Sequence, residues 1–369
     1  MPIAPFKIER YFAPREFTAR YMLSGSDCES FTIAELLELV PGAQAEFQDH
    51  WLGYTETQGA PSLREEIAHL YESVGPDGIL IHSGAGEAIF TFMNSALGPG
   101  DHVIVHYPCY QSLFQVAESI GCEVTRWETT AQGGWELDLN FLQDSIGDRT
   151  RAIIINCPHN PTGYLMNRDR LEAIVELARS RDVLLFSDEV YRGLEYDPDH
   201  RLPPACDLYE NAISLGVLSK SYGLPGLRIG WIATQNARIR ENILMFKDYT
   251  TLCNAAPSEF LARMALRVGP HILRRNLEIV MANLEILRDF FSAYADALRW
   301  VEPRAGAIGF PTLLEGGVDA FCKDVLDGEG VLLLPGTVYD EASCELRIGY
   351  GRRNMQEALG RLSAYLDRR

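Results

Sequence analysis

Short strand-like runs alternate with helical patterns through the middle of this 369-residue chain, and that alternation limits the fold more than any other feature of the sequence. Runs rich in β-branched and aromatic residues predict seven strands, at 79–82, 103–106, 123–127, 152–156, 183–187, 212–217 and 229–233. Amphipathic patterns separate several of them, as at 169–180. This order predicts an α/β fold with a mostly parallel seven-stranded sheet covered on both faces. Ligands of such sheets bind beyond the carboxyl ends of the strands.

The chain changes character from about residue 258 onward. A long helical pattern runs to about residue 297 with a break near Gly269-Pro270, and shorter helix and strand segments follow. We predict a large cofactor-binding domain at 39–259 and a smaller α+β domain formed by 1–38 and 260–369. The first residues are expected to form an arm over the active site.

Chemically active residue types follow three consecutive predicted strands. Asn-Pro-Thr-Gly occupies 160–163, Ser-Asp-Glu-Val-Tyr occupies 187–191, and Ser-Lys-Ser-Tyr-Gly occupies 219–223. Each segment alone has an ordinary explanation, as a turn, a helix N-cap or a solvated lysine. Because all three occur in order and each stands at the carboxyl end of a strand, the pattern favours one shared site.

The residue types match the needs of pyridoxal 5′-phosphate (PLP). Lys220 is the candidate that forms a Schiff base with the cofactor aldehyde, which a lysine does best when its pKa is lowered. Asp188 is the candidate that keeps the pyridine nitrogen protonated, so that the ring accepts electrons from the substrate. Tyr191 and Asn160 fit hydrogen bonds to the phenolic oxygen of the ring, and Tyr110 fits a stacking contact. Lys220, Asp188 and Tyr191 are the predicted catalytic residues.

The cofactor phosphate needs backbone N–H groups at a helix start and an arginine. The loop before the predicted helix at residue 85 offers the amides, with Ala85, Gly86 and Glu87 as predicted binding residues. Arg228 offers the guanidinium, and Ser219 is a further candidate.

A dinucleotide site is the competing interpretation of the Gly84-x-Gly86 loop. That fingerprint needs a third small residue and an acid about 20 residues later. Ile89 stands at the third position, and the next strand ends in His106-Tyr107 without an acid. The pattern therefore disfavours a nicotinamide enzyme.

At these residues the chain resembles the fold-type I PLP-dependent enzymes, in particular the class I/II aminotransferases, over nearly its whole length. The segment at 53–64 is similar to the family's Y-x4-G-x3-L-R pattern, and the resemblance implies that Tyr54 reaches the phosphate of a neighbouring subunit. A homodimer with shared active sites is therefore expected. Many relatives carry Ser or Thr where this chain has Val217, so one phosphate contact is expected to be missing or supplied by another group.

The resemblance also places the substrate. Arg347, in a segment similar to the family's R-[IL]-x pattern, is expected to bind the substrate α-carboxylate as a bidentate pair. Gly25 and Asn160 are expected beside the substrate as well. The main prediction is an aminotransferase that moves the α-amino group of an L-amino acid to a keto acid.

Further segments are similar to the PLP-dependent cyclases that form capreomycidine and enduracididine; these segments are 157–163, 216–228 and 247–251. Those enzymes dehydrate hydroxylated arginine and close a ring through its guanidinium. Glu9, Asp27 and Glu29 support this alternative, because a guanidinium needs carboxylates in its pocket. Of these acids, Glu9 is the predicted substrate-binding residue. Transamination and cyclisation both remain open at this point.

Composition and cysteine spacing limit which partners, metal sites and protein classes remain. The formal net charge of −18 repels phosphate backbones and anionic lipid, so nucleic acid and membrane surfaces are disfavoured partners. The eight cysteines form no C-x-x-C pair, which predicts no metal site and favours a reducing cytoplasm. A transcription regulator built on this fold is disfavoured because no basic segment precedes the fold, while a carbon–sulfur lyase stays open. His82, His102 and His106 are expected to be structural.

Overall fold

The computed structural model describes residues 2–369. The strands are β1 (Tyr21–Met22), β2 (Ile79–His82), β3 (His102–Tyr107), β4 (Glu123–Glu128), β5 (Thr150–Asn156), β6 (Leu184–Asp188), β7 (Ala212–Val217), β8 (Gly230–Thr234), β9 (Leu298–Arg299), β10 (Ile308–Gly309), β11 (Thr312–Leu313), β12 (Val331–Leu332), β13 (Leu334–Pro335) and β14 (Leu346–Gly349). The helices are α1 (Lys7–Phe12), α2 (Ile33–Glu38), α3 (Ala43–Gln48), α4 (Pro61–Ala68), α5 (Ala85–Ala96), α6 (Ser112–Ile120), α7 (Leu139–Ser145), α8 (Arg168–Ser180), α9 (Ala205–Leu208), α10 (Ala237–Lys247), α11 (Ala256–Arg267), α12 (Gly269–Ala293), α13 (Val318–Glu329) and α14 (Met355–Leu366).

A seven-stranded sheet forms the centre of the described chain, in the order β2-β8-β7-β6-β5-β3-β4. Strands β7, β6, β5, β3 and β4 run parallel, and β8 is antiparallel to both of its neighbours. The prediction of a mostly parallel seven-stranded sheet is confirmed. The alternation of β-branched runs with amphipathic helices was sufficient to predict it because crossover connections make sequential strands parallel.

Helices cover both faces of this sheet and bury its inner strands, whereas most side chains of the edge strand β4 stay partly or fully exposed. Along β5, Ile154 packs in one core with α5, while Ile153 and Ile155 pack in the opposite core with α8. Successive side chains of a strand point to opposite faces, so a strand buried on both faces needs an unbroken apolar run. Each of these fully buried isoleucines contributes about 1.5–3 kcal/mol of burial free energy.

The predicted break in the long helical pattern separates α11 from α12. Pro270 lies in the first turn of α12, where the missing N–H of a proline leaves no internal hydrogen bond unmade. The chain therefore starts a second helix at Gly269 instead of continuing the first.

The remaining strands form three small sheets, one of which joins the two ends of the chain. β1 pairs in parallel with β12, and β14 lies between β10 and β13 in an antiparallel sheet. The residues of β1 therefore pack with the C-terminal part, and the domain division at residues 38/39 and 259/260 stays a prediction. No helix within residues 2–369 combines the length and apolarity needed to cross a membrane.

Candidate active site

A cavity of about 500 Å³ lies where β5, β6 and β7 end side by side. Most of the predicted site residues line it; they are Glu9, Gly25, Ala85, Gly86, Tyr110, Asn160, Asp188, Tyr191, Ser219, Lys220, Arg228 and Arg347. The remaining two, Tyr54 and Glu87, lie outside it. The N-terminal arm also contributes to the cavity, because Ile8 and Phe12 of α1 form part of the cavity wall.

Lys220 follows β7 and extends into this cavity. Its Nζ donates a hydrogen bond to Ser26 Oγ at 2.8 Å. Burial lowers the pKa of Lys220 from 10.5 to about 8, while the nearby Asp27 carboxylate partly opposes that shift. A lysine with this pKa supplies a neutral, nucleophilic amine close to neutral pH.

Asp188 is the last residue of β6 and is only 4% exposed. Burial raises the pKa of its carboxyl group from 3.8 to about 7. Asn156, at the end of β5, donates from Nδ2 to the Asp188 carbonyl at 2.9 Å, and its Oδ1 accepts the Asn160 N–H at 2.7 Å. These bonds fix the ends of two neighbouring strands and hold the carboxylate in the cavity.

Arg347 is a buried arginine on β14 whose guanidinium belongs to a hydrogen-bonded network. Nη1 donates to Tyr339 Oη at 2.6 Å, and that hydroxyl donates to Asn160 Oδ1 at 3.1 Å. Nε and Nη2 donate to the Ser24 carbonyl at 3.2 and 2.8 Å. Arg347 has no carboxylate within 4.0 Å among residues 2–369, so its positive charge is available to a ligand.

A cradle for an anion lies at the start of α5. Arg228 has a left-handed backbone with φ of 50°, and its guanidinium lies so close to Gly84 that a Cβ there would be 2.5 Å from Nη2. Ala85 and Gly86, the first residues of α5, line the cavity beside it. Helix-start amides together with a guanidinium are a binding site for phosphate.

Val217 lines this part of the cavity and brings no hydroxyl to it. Ser219 lies nearby and its Oγ accepts from Arg228 Nη1 at 3.4 Å, a long hydrogen bond. Ser219 therefore remains a candidate for the phosphate contact that is expected to be missing at Val217.

Glu87 and Tyr54 are the two predicted cofactor-binding residues that do not line the cavity. The Glu87 carboxylate accepts hydrogen bonds from the Ser83 N–H and from the hydroxyls of Thr250 and Thr251. Its side chain therefore fixes the loop before α5, and only its backbone amide remains as a predicted phosphate contact. Tyr54 is 86% exposed on the surface of the single chain.

The predicted acids near the N-terminus have different surroundings. Glu9 is exposed at the cavity mouth, whereas Asp27 accepts two 2.9 Å hydrogen bonds from Arg352 Nη2. Glu29 lies outside the cavity and accepts the Arg353 N–H at 2.9 Å. Glu16 also lines the mouth, and no sequence pattern singled it out.

The three histidines that were expected to be structural, His82, His102 and His106, are buried, and none of them lines the cavity. His82 bonds to the Leu80 carbonyl and the Thr91 hydroxyl, and His102 bonds to two threonine hydroxyls. His106 stacks on His159 with ring centroids 3.8 Å apart, and its nitrogens have no hydrogen-bond partner within the described chain. Burial lowers the pKa of all three, and lowers that of His106 to about 3.

The donors and acceptors of the cavity fit PLP. A guanidinium and helix-start amides suit its phosphate, a buried carboxylate suits a protonated pyridine nitrogen, and a lysine of lowered pKa suits its aldehyde. Among the described residues, neither Asp188 nor Arg228 has an oppositely charged side chain within 4.0 Å, so each can bind a ligand group of opposite charge. The fold and the cavity together define a fold-type I PLP-dependent enzyme.

The chain belongs to the aminotransferase class I and II family, whose pattern matches residues 27–362. It is 30% identical to capreomycidine synthase of Streptomyces vinaceus over 99% of this chain and 94% of that protein. The crystal structure of a PLP-dependent aminotransferase from Streptococcus suis superposes with a TM-score of 0.94 at 32% identity, covering 100% of this chain and 99% of the other. The PLP-dependent cyclase OrfR superposes with a TM-score of 0.90 at 26% identity, covering 100% and 98%. The family, fold and cofactor predictions are confirmed.

Proposed function

We propose that this protein is an aminotransferase that moves the α-amino group of an L-amino acid to a keto acid. The observation that carries the proposal is one cavity that holds both a lysine with a pKa near 8 and a buried arginine without an acidic partner. Such an arginine suits an α-carboxylate, and such a lysine suits proton transfer at the adjacent carbon.

The residues divide the work between binding and proton transfer. Arg347 binds the substrate carboxylate and thereby orients the α-carbon. Lys220 Nζ accepts the α-proton and later returns it. Asp188 is the carboxylate that would hold the proton of the ring nitrogen. When bound, PLP supplies the electron sink that stabilises the negative charge left at the α-carbon.

The deciding experiment is one incubation of the purified enzyme with amino acids, including arginine and hydroxyarginine, without any keto acid. The cofactor absorption and the product mass are followed together. Conversion to the pyridoxamine form with one equivalent of keto acid supports the aminotransferase. Recovery of the original absorption with many turnovers of a product lighter by one water would overturn it in favour of a cyclase.

Arg347→Leu should lower kcat/KM for amino acids by about 10²–10³-fold, since truncating one partner of a buried charge pair costs about 2–5 kcal/mol. The loss should lie mainly in KM, because the guanidinium binds the carboxylate before and during the reaction. Steady-state kinetics on an amino acid and on its decarboxylated amine check this. Arg299→Leu, on the short strand β9, is the matched surface control. An equal loss for the amine would contradict the assignment.

Cyclisation of a hydroxylated arginine is the second candidate, and the placement of Glu9 and Glu16 favours it. Both are exposed at the cavity mouth and neither forms an ion pair among the described residues. Two such carboxylates match the guanidinium of a substrate held at its other end by Arg347. The likeness to capreomycidine synthase over nearly the whole chain adds support.

The double variant Glu9→Gln/Glu16→Gln should lower kcat/KM for guanidino substrates by about 10–100-fold, the range for lost hydrogen bonds to a charged group. Uncharged amino acids of similar length should be unaffected. Glu29→Gln is the control, because Glu29 is an acid of the same segment that lies outside the cavity. Unchanged selectivity between guanidino and uncharged substrates would remove the support that this candidate draws from the arm.

We further propose a cytoplasmic homodimer in which Tyr54 completes the partner's cavity. The exposed Tyr54 and the eight free thiols support this arrangement. Mixing Tyr54→Phe with Lys220→Ala chains should restore activity, because a mixed dimer contains one cavity with both native residues. The proposal fails if the mixture is no more active than its separate components, or if the purified protein is monomeric.

A further inference from the structure

Ser26 is the group that contacts the Lys220 amine, and neither the family patterns nor the predicted site contained it. Its Oγ accepts a hydrogen bond from Nζ at 2.8 Å. We propose that Ser26 is a positioning residue that holds the Lys220 amine after the substrate has displaced it from the cofactor. This inference rests on the proposed use of Lys220 as the proton carrier.

The backbone around Ser26 is fixed by contacts with two separate parts of the chain, namely Tyr191 after β6 and the 349–352 segment at the end of β14. Tyr191 Oη donates to the Ser26 carbonyl at 3.0 Å. Because Tyr191 follows β6, this bond ties the Ser26 backbone to the central sheet. Gly25 and Gly349 pack so closely that a Cβ added to Gly349 would lie 1.8 Å from the Gly25 carbonyl oxygen. Asp27 is held by the Arg352 guanidinium. A hydroxyl on such a support has a defined position, which a flexible lysine needs for directed proton transfer.

The uncharged character of Ser26 suits a base. The charged groups that act on Lys220 are Asp27 and Asp188, which raise its pKa, and Arg347 and Arg228, which lower it. A serine hydroxyl accepts a hydrogen bond from Nζ without adding a charge to this balance. The amine is therefore oriented while it stays basic enough to take a proton near pH 8.

Orientation matters because the neutral amine has one lone pair. An N–H directed at Ser26 Oγ leaves the lone pair free for the substrate α-hydrogen. In the transfer, the α-carbon–hydrogen bond breaks and an N–H bond forms at Nζ, and PLP, when bound, would stabilise the electron pair that stays at the α-carbon. The ammonium produced keeps its hydrogen bond to Ser26, which is stronger once the donor is charged.

The test separates positioning from folding by using 2-methylalanine, an amino acid without an α-hydrogen. It can displace Lys220 from the cofactor of the holoenzyme but cannot be deprotonated at the α-carbon, so the absorption change reports displacement alone. Ser26→Ala should weaken this displacement by up to about tenfold, the upper range for losing a hydrogen bond between neutral groups. Ser26→Thr, which keeps the hydroxyl, should restore most of it.

Turnover supplies a second readout. In Ser26→Ala, kcat should fall more than KM rises, and the substrate α-deuterium isotope effect on kcat should increase because proton transfer becomes more limiting. Ser30→Ala is the matched control, since Ser30 lies on the same segment and lines the same cavity, but its hydroxyl makes no hydrogen bond within the described chain. Displacement and isotope effects equal to wild type in Ser26→Ala would overturn the inference. If the wild type turns over no amino acid, the proposed function falls. If the wild type turns over amino acids and Ser26→Ala changes neither kcat nor the isotope effect, the inference alone falls.

Discussion

Replacing Lys220 with alanine is expected to lower kcat by roughly 10⁴-fold, the upper range for loss of a positioned acid–base group. Nζ lies inside the cavity with a pKa near 8. No second lysine lines that cavity within residues 2–369, so no neighbouring amine replaces it. Stopped-flow comparison of substrates that carry hydrogen or deuterium at the α-carbon, together with kcat, checks the result.

The pH dependence of the wild type tests the same residue. Burial lowers the pKa of Lys220 from 10.5 to about 8, so the amine is protonated below that value and neutral above it. The rate at which the cofactor-free protein captures PLP should therefore rise with pH and level off above about pH 8. Lys220→Arg is the control, because it keeps a cation in the cavity that stays protonated. Undiminished capture and turnover in Lys220→Ala would contradict the assignment.

Replacing Asp188 with asparagine is the second large effect, with kcat expected to fall roughly 10²–10³-fold, as for loss of one preorganised electrostatic group. The variant keeps the size of the side chain and removes the charge that would hold the proton of the ring nitrogen. Because burial raises the pKa of Asp188 to about 7, the carboxylate is disfavoured in its folded surroundings. The cofactor-free variant should therefore be at least as stable as the wild type near neutral pH.

Kinetics and thermal unfolding of the same preparations separate these two effects. Glu189→Gln is the neighbouring control, since that carboxylate accepts hydrogen bonds from the Ala205 N–H and the Ser214 hydroxyl outside the cavity. Its turnover should stay near that of the wild type. A Glu189 variant as inactive as the Asp188 variant would mean that turnover depends on the intact end of β6 and not on the charge of Asp188.

The main sheet and the cofactor half of the site could be predicted because their signals are local. Lys220 and Asp188 each follow an apolar run that can only be a buried strand, and parallel strands bring their carboxyl ends to one edge. The identity of each residue then indicated a chemical role, which stays a prediction.

The substrate half depends on contacts between distant parts of the chain, which leave no local pattern. Tyr339 contacts Asn160 across 179 residues, and Arg347 contacts the Ser24 carbonyl across 323. The Ser26 contact with Lys220 spans 194. Likewise, no periodic pattern in the sequence indicates that Asp27 pairs with Arg352 while Glu9 forms no ion pair among the described residues.

The pairing of β1 with β12, together with the packing of Gly25 on Gly349, has an evolutionary consequence. The arm with Glu9 and the strand with Arg347 are attached to each other, whereas Lys220 and Asp188 stand on the central sheet. If Glu9 and Arg347 bind the substrate as proposed, inherited substitutions in the first twenty residues would change which side chain is accepted without disturbing proton transfer. Related proteins could thus come to use different amino acids as substrates through changes in the N-terminal arm alone.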